Sequence, residues 1–148
     1  MGPEKRIAKK LGEILVNNAA ITEEQLQRAL DFQRREGGLL GEILVKLGYI
    51  GEREIVQALT TQYGFPFVLL ESFDFNQEAG KLVPENVARQ YSLVPLDIIG
   101  ELLTVAMSNP LNEAAIDDLE MITKKKVQVF ISTFTSIHEG INRLYQKK

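Results

Sequence analysis

The sequence predicts an α+β protein: an N-terminal tandem helical-hairpin repeat followed by a small αββαβα sandwich. Three observations carry this. The hexapeptide LGEILV occurs twice, at residues 11–16 and 40–45. Apolar residues recur at helical spacing through position 62. After residue 90 the pattern changes to short β-rich runs bounded by turn signals.

The repeat step is 29 residues. Gly12 corresponds to Gly41, Ile21 to Ile50, Glu23 to Glu52, Ala29 to Ala58, Leu30 to Leu59 and Gln33 to Gln62. One offset held over residues 12–33 marks a duplication. Each copy reads as a helical hairpin. The first helix is short, over residues 11–18, with Leu11, Ile14 and Leu15 on one face. A turn follows at Ala19-Ala20 and at Gly48-Tyr49. Gly48 takes a left-handed conformation readily, whereas Ala19 does so less easily. Thr22 caps the second helix, with Gln25 completing a capping box; Gly51 and Glu54 are the weaker equivalents. Leu26, Ala29, Leu30 and Gln33 line one face of that helix, as do Ile55, Ala58, Leu59 and Gln62 in copy two. Tyr63-Gly64-Phe65-Pro66 ends the second unit.

Two features exceed what packing asks of a helix. A glycine inside each first helix costs about 1 kcal/mol relative to alanine, so close approach of a backbone or a ligand must compensate. A glutamine closes each apolar stripe, and its amide needs partners. Those partners are either a ligand or a loop backbone at the rim.

Residues 70–80, LESFDFNQEAG, read as a linker, so the expected domains are 1–69 and 81–148. Beyond the linker, Val83-Pro84-Glu85 opens a short helix through Tyr91. SLVPLDII and ELLTVAM read as a strand pair, and Pro95 makes the first an edge strand or a bent one. Asn112 caps a helix with Ile116, Leu119 and Ile122 inward. KVQVFI alternates as a third strand. Thr133 starts a last helix with Phe134, Ile137, Ile141 and Leu144 as its core stripe.

Composition narrows the function. The apolar fraction of 45% fills real cores, and the net charge of −3 argues against bulk DNA or RNA as a partner. Charge is unevenly spread. Lys5, Arg6, Lys9 and Lys10 make a basic start, and Lys124, Lys125 and Lys126 form a second basic run. Residues 63–123 hold ten acidic groups against two basic ones, a local charge of −8 that reads as a solvated face or a dock for a basic partner. The absence of cysteine excludes disulfides, thiolate zinc sites and thiol catalysis. No apolar run approaches the roughly 18 residues of a membrane span and no signal peptide opens the chain, so direct membrane insertion is not expected. Catalytic chemistry is not legible either. His138 stands alone beside Glu139 and reads as a surface residue, and no GxxxxGK[ST] phosphate loop is present.

The stretches KLGEILVNNAAITEEQLQRALDFQ and LLGEILVKLGYIGEREIVQALTTQYGFPFV resemble the tandem motif in the N-terminal region of type II secretion and type IV pilus assembly ATPases. Residues 82–145 resemble the α/β subdomain that follows it in that family, so the resemblance covers nearly the whole chain. It implies a non-catalytic regulatory and docking region without its motor. In some members the tandem motif binds cyclic di-GMP, which makes that nucleotide the candidate ligand; no other cofactor is expected. The implied site is Lys10, Leu11, Gly12, Leu15, Leu30 and Gln33 from copy one, with Leu39, Leu40, Gly41, Leu44, Leu59 and Gln62 from copy two. Cyclic di-GMP is nearly two-fold symmetric, and a duplicated hairpin offers two similar surfaces. The glycines would let helix N-termini approach phosphate. The glutamines would bond guanine edges, and the leucines would cover guanine faces.

This chain departs from the pattern at the motif arginine, which is Lys10 in copy one and Leu39 in copy two, and at a turn glycine, which is Ala19. A lost guanidinium fork costs on the order of 1–3 kcal/mol of recognition. The expected partners are an ATPase domain C-terminal to this region and the cytoplasmic domain of an inner-membrane platform protein. That places the protein in the cytoplasm, peripheral to the inner membrane. Docking to the platform protein without nucleotide is the competing reading.

Overall fold

The structure is a computed structural model that describes residues 3–146, with side chains described from Lys10 onward. The basic cluster of Lys5, Arg6 and Lys9 therefore lies outside the described side chains. The chain divides into two compact units, one ending at Gly64 and one beginning at Phe65.

The first unit is two helical hairpins. Helix α1 (Pro3–Asn17) turns into α2 (Glu23–Glu36), and α3 (Leu40–Lys46) turns into α4 (Glu52–Tyr63). The two turns are built alike. Ala20 N–H donates to Leu15 O and Ala19 N–H to Val16 O, each at 2.9 Å. Tyr49 N–H donates to Leu44 O and Gly48 N–H to Val45 O, each at 3.0 Å. This paired pattern closes a helix on a left-handed residue, and Ala19 adopts φ 59° where Gly48 has φ 80°. The alanine thus takes the strained conformation that its position demands. The Thr22–Gln25 capping box forms in full, with Thr22 N–H to Gln25 Oε1 at 2.9 Å and Gln25 N–H to Thr22 Oγ1 at 3.1 Å. Copy two keeps only the Gly51 N–H to Glu54 Oε1 bond, at 3.2 Å.

One expectation fails here. The first helix begins at Pro3, eight residues before Leu11, so copy one opens on a long helix and copy two on a short one. Residues 3–10 are rich in good helix formers but carry little apolar stripe, so hydrophobic periodicity did not register them. The core of this unit is Leu11, Ile14, Leu15, Ile21, Leu26 and Ala29 from the first hairpin, with Leu40, Ile43, Leu44, Ile50, Ile55, Val56 and Leu59 from the second.

The second unit wraps helices around a three-stranded sheet of order β1-β2-β3. Helices α5 (Gln77–Leu82) and α6 (Glu85–Tyr91) precede β1 (Leu93–Ile99) and β2 (Leu102–Met107). Then come α7 (Glu113–Thr123), β3 (Lys126–Ile131) and α8 (Phe134–Leu144). From α6 onward this is the expected αββαβα order. Strands β1 and β2 pair antiparallel; β2 and β3 pair parallel across the α7 crossover. Pro95 sits on an edge strand, and the register shifts between Pro95 and Asp97, so both consequences expected of the proline occur together. Asn112 and Thr133 cap α7 and α8 through Ala115 N–H (3.1 Å) and Ser136 N–H (3.2 Å).

Residues 70–80 are not a linker. Leu70 is buried at the start of a 3₁₀ turn (Leu70–Ser72), and Ala79 and Gly80 are buried in α5. Asn76 ties this segment to β1 through its N–H to Leu96 O (3.0 Å) and its Nδ2 to Asp97 Oδ1 (3.0 Å). Even Val68 joins the sheet, donating to Ile131 O at 3.1 Å. A polar, glycine-containing stretch looked like a connector because its packing partners are distant in sequence; the nearest atom to a Cβ built on Gly80 is Leu144 Cδ1. Two side chains also depart from expectation. Ile122 is 45% exposed rather than inward, and His138 is half-buried rather than on the surface.

Candidate functional site

The twelve implied site residues separate by burial. Leu11, Gly12, Leu15, Leu40, Leu44 and Leu59 are buried and hold the hairpins together. Lys10 and Gln62 are exposed, and Leu30, Gln33, Leu39 and Gly41 are half-buried. The leucine cover imagined for guanine faces is therefore available only from Leu30 and Leu39.

The two glycines have equivalent neighbours and unequal clearance. A Cβ on Gly12 would lie 2.4 Å from Leu26 Cδ1, whereas a Cβ on Gly41 would lie 3.7 Å from Ile55 Cδ1. Leu26 and Ile55 are themselves one repeat step apart. In both hairpins the glycine of the first helix thus faces the same point of the second helix, tightly in copy one and with room in copy two. Close helix packing accounts for Gly12. Its expected place at a helix N-terminus is corrected by the start of α1 at Pro3, because an amide deep inside the helix is committed to the helical ladder. Gly41 is the second residue of α3, whose first ladder bond runs from Ile43 N–H to Leu39 O (3.0 Å).

The glutamines also differ. Gln33 Nε2 donates to Gly38 O at 2.9 Å, which ties the end of α2 to the loop between the hairpins. Gln62 projects exposed from the last turn of α4. Lys10 Nζ stands 5.7 Å from the centroid of the Tyr63 ring, so the head of copy one meets the end of copy two. Tyr63 was not among the implied residues; its one sequence signal is an aromatic directly after the second glutamine. Elsewhere in this unit Lys46 Nζ lies 5.4 Å from the Phe32 ring. The Arg28 guanidinium is held above its ordinary pKa, first by a hydrogen bond with Tyr49 and then by Glu24.

The second unit carries a small cleft and several exposed apolar side chains. Its small cleft of about 180 Å³, lined by Leu70, Glu71, Ser136, Glu139 and Arg143, is crossed by internal bonds. Ser136 Oγ donates to Glu71 Oε1 (2.6 Å), and Arg143 donates to Leu70 O (2.5 Å). Among the described residues no cluster of His, Asp or Glu could hold a metal, and no helix is long and apolar enough to cross a membrane. Ile99, Met121 and Ile122 are exposed at 64, 70 and 45%. They share one end of the sheet with Lys124, Lys125 and Lys126. Ile99 pairs with Leu102, Leu102 with Lys126, and Lys125 Nζ bonds Gly100 O at 3.3 Å.

Comparison with known proteins agrees with this architecture. The MshEN domain model matches residues 63–148. The type IV pilus assembly ATPase PilB of Myxococcus xanthus is 38% identical over 139 residues, covering 94% of this chain and 25% of PilB. Bacteriophage adsorption protein B of Escherichia coli is 28% identical over 98% of this chain and 19% of its own length. The chain thus spans a quarter or less of these curated relatives. Among solved structures, MshE with cyclic di-GMP matches at a TM-score of 0.69 and 29% identity, covering 91% of this chain and 98% of that one. The N-terminal domain of XpsE matches at 0.69 and 17% identity, over 97% and 96% of the two chains, a likeness of fold alone. With more than half its length matched by that model, the chain belongs to the MshEN domain family.

Proposed function

We propose that this chain is the regulatory and docking region of a type IV pilus assembly or type II secretion ATPase, and that its first unit binds cyclic di-GMP through the two motif copies. The observation that carries the reading is the separation of scaffold from surface within the motif. The buried leucines fix two like hairpins. Lys10, Leu30, Gln33, Leu39, Gly41 and Gln62 stay accessible on them. The Gln62 amide carries both a donor pair and an acceptor, which suits a guanine edge. Gln33 exchanges its bond to Gly38 O for one to the ligand, a swap of like for like. Lys10 supplies charge for a phosphate. Gly41 keeps its backbone approachable because it lacks a side chain. The likeness to MshE with cyclic di-GMP supports the choice of ligand. A motor domain C-terminal to this region, and recruitment to the inner membrane by a platform protein's cytoplasmic domain, complete the proposal. The regulatory region itself carries out no catalysis.

Calorimetric titration of cyclic di-GMP into the chain tests this. Saturable heat is expected, weakened about tenfold in each of Lys10→Ala and Gln62→Ala, or about 1.4 kcal/mol. No heat at high micromolar nucleotide refutes it.

Docking without nucleotide is the second reading, favoured by the exposed side chains of Ile99, Met121 and Ile122 toward the end of the sheet where Lys124, Lys125 and Lys126 lead into β3. That surface suits a partner with an apolar centre and an acidic rim. On this reading Met121→Asp abolishes pull-down of the platform domain and cyclic di-GMP changes nothing.

A further inference from the structure

The nucleotide reading leaves one contact without a role. Lys10 and Tyr63 come from opposite ends of the duplicated sequence, yet the ammonium stands over the ring. Packing does not call for the pair. Lys10 is exposed, and Tyr63 is 41% exposed as the last residue of α4. Gly64 then turns the chain at φ 73°, and a Cβ built there meets nothing within 4 Å. The pair of Lys46 and Phe32 differs, since Phe32, within α2, is half-buried.

We propose that Tyr63 is a specificity-determining residue of the site: with Lys10 it forms a shelf on which a purine base of a phosphate-bearing ligand stacks. The ring receives the base and the ammonium receives a phosphate oxygen. This rests on the cyclic di-GMP reading above. The chemistry is a division between two side chains. A guanidinium combines charge with a flat face, whereas an ammonium has charge alone. At position 10 this chain has the ammonium, and the ring of Tyr63 supplies the missing plane beside it. Gln62 and Tyr63 project about 100° apart around the helix, so one can address the edge of a base while the other holds its face. An aromatic platform beside a cation is the usual way a protein holds an unpaired base.

The test uses cyclic di-GMP as the probe and the 148-residue chain as the protein. Tyr63→Leu is expected to weaken binding about tenfold, and Tyr63→Phe to stay within about twofold of wild type. Adding Lys10→Arg to Tyr63→Leu is expected to restore part of the loss, because the guanidinium brings its own plane. NMR ring-proton signals of Tyr63 in the wild-type chain are expected to move upfield on saturation. Wild-type affinity retained by Tyr63→Leu overturns the shelf and leaves the nucleotide reading standing. If Tyr63→Leu misfolds, unmoved Tyr63 ring signals in the saturated wild type overturn it instead. Absence of binding by the wild type overturns both.

Discussion

Two identical hexapeptides should respond in opposite directions to the same mutation. In Gly12→Ala the new methyl would lie 2.4 and 2.9 Å from the two Cδ atoms of Leu26 and 3.3 Å from its Cγ. Leu26 is only 4% exposed, so its whole branched end must shift within a packed core. Overpacking of that kind costs about 1–3 kcal/mol, and the helix-propensity gain of alanine over glycine returns about 1 kcal/mol. The net is a destabilisation of about 1 kcal/mol. In Gly41→Ala the closest atoms are Ile55 Cδ1 at 3.7 Å and Leu11 Cδ2 at 3.8 Å, which is ordinary contact. With no strain to offset, and a reduced propensity gain in the first turn, the net is a stabilisation of about 0.5 kcal/mol. For a unit of this size, 1 kcal/mol moves the thermal midpoint by about 4–8 °C. Circular dichroism melts should therefore place Gly12→Ala below wild type and Gly41→Ala slightly above it. Equal stabilisation of both variants would refute the claim that Leu26 bears on α1. The pair also separates packing from recognition. Gly41→Ala leaves the fold intact, so any loss of cyclic di-GMP affinity in that variant reports ligand approach to the backbone.

Two further predictions concern turns and titration. Ala19→Gly should stabilise by about 0.5–1 kcal/mol in urea denaturation, because φ 59° strains alanine, while the larger unfolded-state entropy of glycine offsets part of the gain. Asp97 accepts from Asn76 Nδ2 (3.0 Å) and from Ile98 N–H (2.8 Å), and these bonds, the first foremost, hold its pKa below the ordinary carboxylate value. A depressed folded-state pKa contributes stability above the unfolded value of about 3.9 that is lost as pH falls below it. Asp97→Asn should therefore melt below wild type near neutral pH, and the gap should narrow on acidification through about pH 4.

How much of this was legible beforehand depended on how far each residue's partner lies along the chain. Thr22 with Gln25, Asn112 with Ala115, and Thr133 with Ser136 are caps spanning three residues, and each forms as the sequence indicates. Pro95 carries its consequence in its own ring, which cannot donate to a neighbouring strand. Helix α5 stayed hidden because six residues containing Gly80 have no period to read, and their support comes from Leu144 and from β1. The exposure of Ile122 has a different origin: Leu119 and Thr123, four residues apart, form the buried line of α7, and Ile122 lies off it at 45% exposure.

The candidate site was only half legible, for a different reason. A motif is a string, and it does not say which of its letters face inward. Periodicity had already put Leu11 and Leu15 on one apolar face, while the resemblance put the same residues against a ligand. Burial decides between these, and it assigns them to the scaffold. A repeated string is also not a repeated environment. Gly12 and Gly41 face equivalent positions, but Leu26 presses closely on the first, and Ile55 stands off from the second. The long α1 and the short α3 then place one glycine in mid-helix and the other at a helix start. On the proposed reading a two-fold ligand would meet two unequal halves, Lys10 and Tyr63 at one and Gly41 at the other, so its recognition would be asymmetric even though the ligand is not.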